Sequence, residues 1–322
     1  MQMKQAVTTD DILNARTIIR KYLNRTPLYS YTGLSQLLGC QAFVKHENHQ
    51  PVGAFKVRGG LNLVSRLSKD ERRRGVITAS TGNHGQSIAY AARTFGVKAR
   101  VVVPRGNNPD KVKAIERLGA EVIFEGKDFD ESREYVERVS QENGLRYVHS
   151  ANEPHLIAGV GTIGLEILED LPDVDVVLVP VGGGSGASGI STAIKSAKPD
   201  VQIIGVQSEE APAAFLSWRE GKPVASEVMR TFAEGLATRV GFSMTVQMMK
   251  RNLTDFILVS DDEIRQAMRL LLEHTHNVAE GAGAASLAGA IKIRDKLSGK
   301  HVVMILSGGN VTLDTLRHVL SV

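Results

Sequence analysis

Cysteine is nearly missing from this 322-residue chain: Cys40 is the only one. That excludes an internal disulfide and any multi-cysteine metal site. Leu37-Leu38-Gly39 precede it and Gln41-Ala42-Phe43 follow, no setting for a reactive thiolate, so a small buried residue is expected. Long apolar runs are also missing. Residues 302–306 are among the longest, far short of the ~20 needed to cross a bilayer. Met1-Gln2-Met3-Lys4 leads into a polar, helix-like segment without the apolar centre of a signal peptide, so a soluble cytoplasmic protein with no membrane partner is expected. Neither charge sign dominates: 39 Lys+Arg against 35 Asp+Glu leave +4. The only dense basic run, Arg72-Arg73-Arg74, precedes Gly75, where cations suit a helix C-terminus, so no nucleic-acid partner is expected. Nine histidines include no His-Glu-x-x-His, and His274 and His276 stand two apart on a predicted helix and so face different ways. No catalytic metal is expected. No Gly-Lys-Ser/Thr triphosphate loop, repeat or low-complexity segment occurs.

What is present is an ordinary globular composition, 42% hydrophobic and 23% charged, over a length that suits two closely packed domains. Short β-branched runs alternate with helix-period segments. The pattern predicts strands at 76–79, 99–103, 121–124, 146–149, 174–179, 201–206, 256–259 and 302–306. It predicts helices at 86–94, 110–118, 129–142, 159–171, 187–196, 262–274, 284–294 and 313–320. Strands apolar on both faces and separated by helices specify an α/β fold with parallel sheets covered on both sides. The four strands between 76 and 149 predict a small domain, residues 75–150, set into a large one made of 1–74 and 151–322.

Four clusters could carry chemistry. Val181-Gly182-Gly183-Gly184-Ser185-Gly186-Ala187-Ser188-Gly189 lies between a strand and a helix, where bare backbone N–H groups and the helix N-terminus suit a phosphate. The competing reading is a tight turn needing positive φ, but five glycines in eight residues exceed that need. Gly184-x-Gly186-x-x-Gly189 also matches a dinucleotide fingerprint, although the next strand ends Val206-Gln207-Ser208 without its acidic residue and only Glu209 lies close. In the second cluster, Gly53-Ala54-Phe55-Lys56-Val57-Arg58-Gly59, Lys56 is either a solvated lysine or a desolvated nucleophile fit for Schiff-base chemistry. The third, Ser80-Thr81-Gly82-Asn83-His84, is either a plain N-cap or a carboxylate cradle. The fourth, Ser307-Gly308-Gly309-Asn310, ends a strand where open α/β sheets place ligands.

Together and in this order, the clusters resemble the fold-type II pyridoxal-phosphate enzymes, in their threonine/serine dehydratase and serine racemase branch, from Thr26 to Thr312. The resemblance implies two open parallel-sheet domains, tryptophan synthase β-like, and pyridoxal 5'-phosphate as cofactor. Lys56 matches the lysine that carries the cofactor as a Schiff base. Ser80, Thr81, Gly82, Asn83 and His84 match the loop that holds the substrate carboxylate, with Asn83 also touching the cofactor's 3′ oxygen. Gly182, Gly183, Gly184, Ser185 and Gly186 match the phosphate loop, and Ser307 the partner of the pyridine nitrogen. Asn152 and Gly235 match further site positions. A neutral hydroxyl at Ser307 favours prompt loss of a β-substituent over transamination. The implied reaction is dehydration of a small β-hydroxy L-amino acid to a 2-oxo acid and ammonia, with Lys56 taking the Cα proton.

This chain departs from the family at three places. Thr81 stands where racemases use a serine opposite the lysine, and its methyl restricts the hydroxyl, which makes racemisation the alternative activity. Gln207 and Ala213 stand where members with a divalent cation place carboxylates, leaving the Ala211 carbonyl alone, so no metal site is expected. Gly281 follows Glu280 where many members have proline. The sequence ends at Val322, so no regulatory amino-acid-binding domain is expected. A homo-oligomer, dimer or tetramer, is. Threonine, serine, 3-hydroxyaspartate, phenylserine and hydroxyectoine-pathway intermediates all suit the chemistry as substrates. The rivals are a nicotinamide-dependent oxidoreductase using the Gly184–Gly189 fingerprint and a non-enzymatic sensor or scaffold, against which the Lys56 motif argues.

Overall fold

The computed structural model describes residues 7–321; residues 1–4 and Val322, read above from sequence, lie outside it. Among the described residues there are ten strands: β1 (Leu28–Ser30), β2 (Gln41–His46), β3 (Val76–Ala79), β4 (Ala99–Val103), β5 (Glu121–Phe124), β6 (Arg146–Tyr147), β7 (Val176–Pro180), β8 (Gln202–Ser208), β9 (Asp255–Val259) and β10 (His301–Leu306). They make two sheets, ordered β1-β2-β10-β7-β8-β9 and β5-β4-β3-β6. The chain forms the α/β architecture that its strand pattern implies.

The large sheet has a core on each face. Alternate side chains of one strand point to opposite faces, so Val176, Leu178, Val302 and Met304 join one core and Val177, Val179, Val303 and Ile305 the other. Helices Asp261–Thr275 and Gly281–Lys292 close the first face, and Pro154–Asp170 and Ser185–Ala197 the second. This double covering is why these strands read as unbroken apolar runs. In the small sheet Ile77 and Val102 pack under helix Phe129–Asn143. Val76, Val101 and Val103 face the other way, into a core shared with helices Lys56–Ser65 and Asn83–Thr94.

Several boundaries differ from the predicted ones. All sheet pairs are parallel except β1–β2, which is antiparallel, and the sequence pattern showed neither of those strands. The helix expected at 86–94 begins at Asn83, which puts Asn83 and His84 in its first turn. The helix expected from 159 starts at Pro154 because proline suits the first turn and its glycines pack tightly: a Cβ on Gly159 would lie 2.5 Å from the Arg58 carbonyl oxygen. The strand expected to reach His149 stops at Tyr147, since His149 Nδ1 accepts the N–H groups of Ala151 (3.0 Å) and Asn152 (2.9 Å) and bends the chain. His276 lies beyond its helix at φ +56°, so the two-faces-of-one-helix reading of His274 and His276 does not apply.

Arg72-Arg73-Arg74 closes helix Lys69–Arg74, with Arg72 donating to the Ser65 and Leu67 carbonyls and Arg74 to that of Gly144. Cys40 is buried. No described helix is long and apolar enough to cross a membrane.

Candidate active site

The four clusters all follow the C-terminal ends of parallel strands, the edge where open α/β sheets bind ligands. β10 lies between β2 and β7. That order brings the 307–310 loop beside the segment after β2 and the glycine loop after β7. Two backbone links join the first pair: Phe55 N–H donates to the Ser307 carbonyl (3.0 Å), and Ala54 bridges Gly308.

Lys56 is the first residue of helix Lys56–Ser65, and its amine reaches across the cleft. Nζ donates to the Ser150 carbonyl (3.0 Å) and to Ser185 Oγ (3.0 Å), the first residue of the helix after the glycine loop. No carboxylate lies among its hydrogen-bond partners, so burial pulls the amine down to about 8 from its ordinary 10.5. An appreciable fraction is therefore the nucleophilic free base near neutral pH.

The glycine loop is held close by its neighbours. A Cβ on Gly182 would lie 2.2 Å from the Gly235 carbonyl oxygen, and one on Gly183 2.6 Å from Ala151 Cβ. Gly184 sits at φ +87°, a left-handed conformation that suits glycine. Gly186 faces the Phe55 ring. N–H groups bare of side chains at the head of a 13-residue helix suit a phosphate group.

At the third cluster, Ser80 caps the turn: its Oγ accepts the N–H groups of Gly82 (3.2 Å) and Gly85 (2.8 Å). Neither Ser80 nor Thr81 is the N-cap, a position that Gly82 takes without a side-chain cap; Ser80 reaches the helix's first turn from upstream, and the Thr81 hydroxyl has no partner among the described residues and is partly exposed. His84 turns inward. Its Nε2 meets the Val148 carbonyl (3.2 Å), a pure acceptor, so Nε2 carries the hydrogen and the buried Nδ1 is left without a partner. Burial, with Lys56 nearby, drops this imidazole to about 3, so it is neutral and cannot act as a cationic carboxylate ligand. Ser307 is buried and its hydroxyl has no partner among the described residues. Asn152 Oδ1 accepts the Met244 N–H (3.3 Å). Gln207 is wholly buried and tied at both ends: Nε2 donates to the Leu236 carbonyl (3.3 Å) and Oε1 accepts the Phe215 N–H (2.9 Å). Glu209 is exposed. Among the described residues no group of three or more His, Cys, Asp or Glu could hold a metal ion.

A sequence profile described as "Pyridoxal-phosphate dependent enzyme" matches residues 19–308. The chain belongs to this family. It is 42% identical over 315 residues to an L-threonine ammonia-lyase of Thermotoga maritima, covering 98% of this chain and 78% of that protein. It is 39% identical over 324 residues to the L-threonine dehydratase catabolic TdcB of Staphylococcus aureus, covering 99% and 94%. Among solved structures, maize serine racemase superposes with a TM-score of 0.93 at 32% identity, covering 98% of each chain.

The arrangement fits the family's cofactor. A loop whose backbone N–H groups are bare of side chains lies beside an amine whose proton is loosened by burial, and the Ser307 hydroxyl has no partner among the described residues at the end of β10. Two features of the site escaped sequence reading. Asn83 Nδ2 donates to Glu280 Oε1 (2.7 Å), and Asn83 Oδ1 accepts from Asn310 Nδ2 (2.7 Å). A lone carboxylate inside Val278-Ala279-Glu280-Gly281-Ala282-Gly283 was the available signal. Beneath Lys56, Arg58 grips Glu47 (2.8 Å) and Glu166 (2.6 Å), and Lys45 also reaches Glu166 (2.8 Å). Burial opposes the Arg58 charge, but the two carboxylates outweigh it and raise the guanidinium above its ordinary value.

Proposed function

We propose that this member of the family is a threonine/serine dehydratase, an ammonia-lyase that converts a small β-hydroxy L-amino acid to a 2-oxo acid and ammonia. The observation that carries the reading is Lys56, a buried amine held 3.0 Å from Ser185 at the head of the glycine cradle. Lys56, Asn83, Gly182, Gly183, Gly184, Ser185, Gly186, Gly235 and Ser307 would hold pyridoxal phosphate. Bound there, it supplies an electron sink that acidifies the substrate's Cα hydrogen. The Thr81–Asn83 turn receives the substrate carboxylate through backbone N–H groups and the Asn83 amide. His84, neutral, shapes the turn through Val148 rather than meeting that carboxylate with charge.

Lys56, with its amine depressed to about 8, takes the Cα proton. Water leaves from Cβ and Cα together, and hydrolysis of the resulting enamine returns one water and releases ammonia, so the sum is amino acid to 2-oxo acid plus ammonia. Names of the relatives favour threonine over the other β-hydroxy amino acids. The separate four-stranded sheet supports a small domain of residues 75–150 within a large one of 1–74 and 151–322. A cytoplasmic homo-oligomer completes the reading.

Purified protein given L-threonine should release 2-oxo acid and ammonia in equal amounts, and Lys56→Ala should lose several orders of magnitude of that rate while keeping its fold. Undiminished turnover in Lys56→Ala would place the reactive amine elsewhere.

A further inference from the structure

Asn83 sits in the predicted carboxylate cradle, yet its amide is held by loops of the large sheet, and the hold has a direction. Asn310 Nδ2 donates to the Val52 carbonyl (2.8 Å) as well as to Asn83 Oδ1 (2.7 Å). A backbone carbonyl only accepts, so Asn310 must present its nitrogen and Asn83 its oxygen; this settles which end of each amide is which. Asn83 Nδ2 then gives one hydrogen to Glu280 Oε1 at 2.7 Å and keeps a second, for which no acceptor exists among the described residues.

Glu280 is itself braced. Its N–H donates to the Gly308 carbonyl (3.1 Å), and a Cβ on Gly308 would come within 2.5 Å of its Oε1. The 234–236 turn packs alongside, with Gly235 between Ala282 and the Gly182 loop.

We propose, building on the dehydratase reading, that Glu280 is a positioning residue: it anchors the Asn83 amide, whose polarity the Val52–Asn310 chain sets, so that the remaining Nδ2 hydrogen is offered as a donor to an anionic oxygen of the bound ligand. That oxygen belongs either to the cofactor or to the substrate carboxylate. Both are anionic oxygens, and different measurements report on each. A purely structural Glu280 would leave ligand affinity unmoved when replaced; a positioning one would not.

Burial pushes the Glu280 carboxyl up to about 7, with the Asn83 hydrogen bond and Lys111 opposing and Glu234 reinforcing the rise. Lys111, on helix Pro109–Arg117, and Glu234 are the charged groups that face it, and they pair with each other at 2.6 Å. As pH rises through neutrality, a carboxylate forms beside the site of an anionic ligand, so wild-type affinity for that ligand should fall.

Glu280→Ala and Glu280→Gln test this. The apo proteins are titrated with pyridoxal phosphate, and the holoenzymes are assayed for KM and kcat with L-threonine across the neutral pH range. Glu280→Ala should weaken cofactor affinity or raise KM by roughly tenfold. Weaker cofactor binding assigns the oxygen to the cofactor, and a raised KM alone assigns it to the substrate. Glu280→Gln, which keeps an acceptor but cannot titrate, should restore most of the affinity and flatten the pH dependence. Wild-type values in Glu280→Ala, or an unchanged pH dependence in Glu280→Gln, would overturn the role. If Glu280→Ala does not fold, the Gln profile decides. A wild type that binds pyridoxal phosphate without turning over any β-hydroxy amino acid sinks the dehydratase reading alone, and the cofactor titration still judges Glu280.

Discussion

Replacing Arg58 with leucine should be among the most damaging single changes outside the cleft, and the structure says how the damage can be undone. Arg58 is 1% exposed and makes four short contacts to carboxylate oxygens: Nε and Nη2 to Glu47 at 2.8 Å each, Nη1 and Nη2 to Glu166 at 2.6 and 2.9 Å. Together with Lys45 the cluster balances two cations against two carboxylates out of water. Arg58→Leu leaves that cluster with one uncompensated negative charge. Glu166 keeps Lys45, but Glu47, wholly buried, keeps only uncharged hydrogen-bond partners such as Thr26 Oγ1 (2.6 Å). Stranding a buried charge costs about 3–5 kcal/mol. For a chain of this size that lowers Tm by roughly 5 °C. Adding Glu47→Leu removes the stranded charge, so the double variant should melt well above the single one, because a buried pair replaced by apolar groups is close to neutral in stability. Thermal melts of wild type, both single variants and the double, followed by circular dichroism, complete the cycle. A single variant that melts with wild type, or a double that falls by the sum of the two singles, would refute the idea of a coupled buried pair.

Three further outcomes are expected. The neutral Lys56 amine is the nucleophile, so the rate at which apo protein takes up pyridoxal phosphate should climb as pH rises through about 8; a limb near the ordinary lysine range would mean the amine is not desolvated. Chelator treatment should leave activity and Tm unchanged, because the Gln207 amide already ties Leu236 to Phe215, and activity lost to chelation and restored by magnesium or calcium would refute this. Wild type should form little D-serine from L-serine and Thr81→Ser more, since removing the methyl frees the hydroxyl's rotamer; chiral chromatography showing D-serine made as fast as pyruvate by wild type would favour the racemase.

Much of the fold was written locally. Residues 76–79, 99–103 and 121–124 read as strands at their observed bounds from short β-branched runs, a signature that needs no knowledge of their neighbours; the first is buried throughout, while the last, at the sheet edge, is half-exposed. The glycine loop was legible from its composition, and the structure supplies the reasons in positive φ at Gly184 and the approach of the Gly235 carbonyl to Gly182. β1 was not, being three residues at the sheet edge, nor was β2, whose Lys45 and His46 break the apolar run in sequence although both are buried. Sequence singled out Lys56, but its depressed amine depends on burial that only the packed cleft provides. Tertiary structure alone decided the pairings. Arg58 meets Glu166 across 108 residues, and Asn83 meets Glu280 across 197. In sequence each of these charges looks like an ordinary surface residue, because a side chain's chemistry is set by the dielectric and partners around it, and those come from strand order. Placing β10 between β2 and β7 is what carries Ser307, Gly308 and Asn310 to the lysine and to the small sheet's first helix.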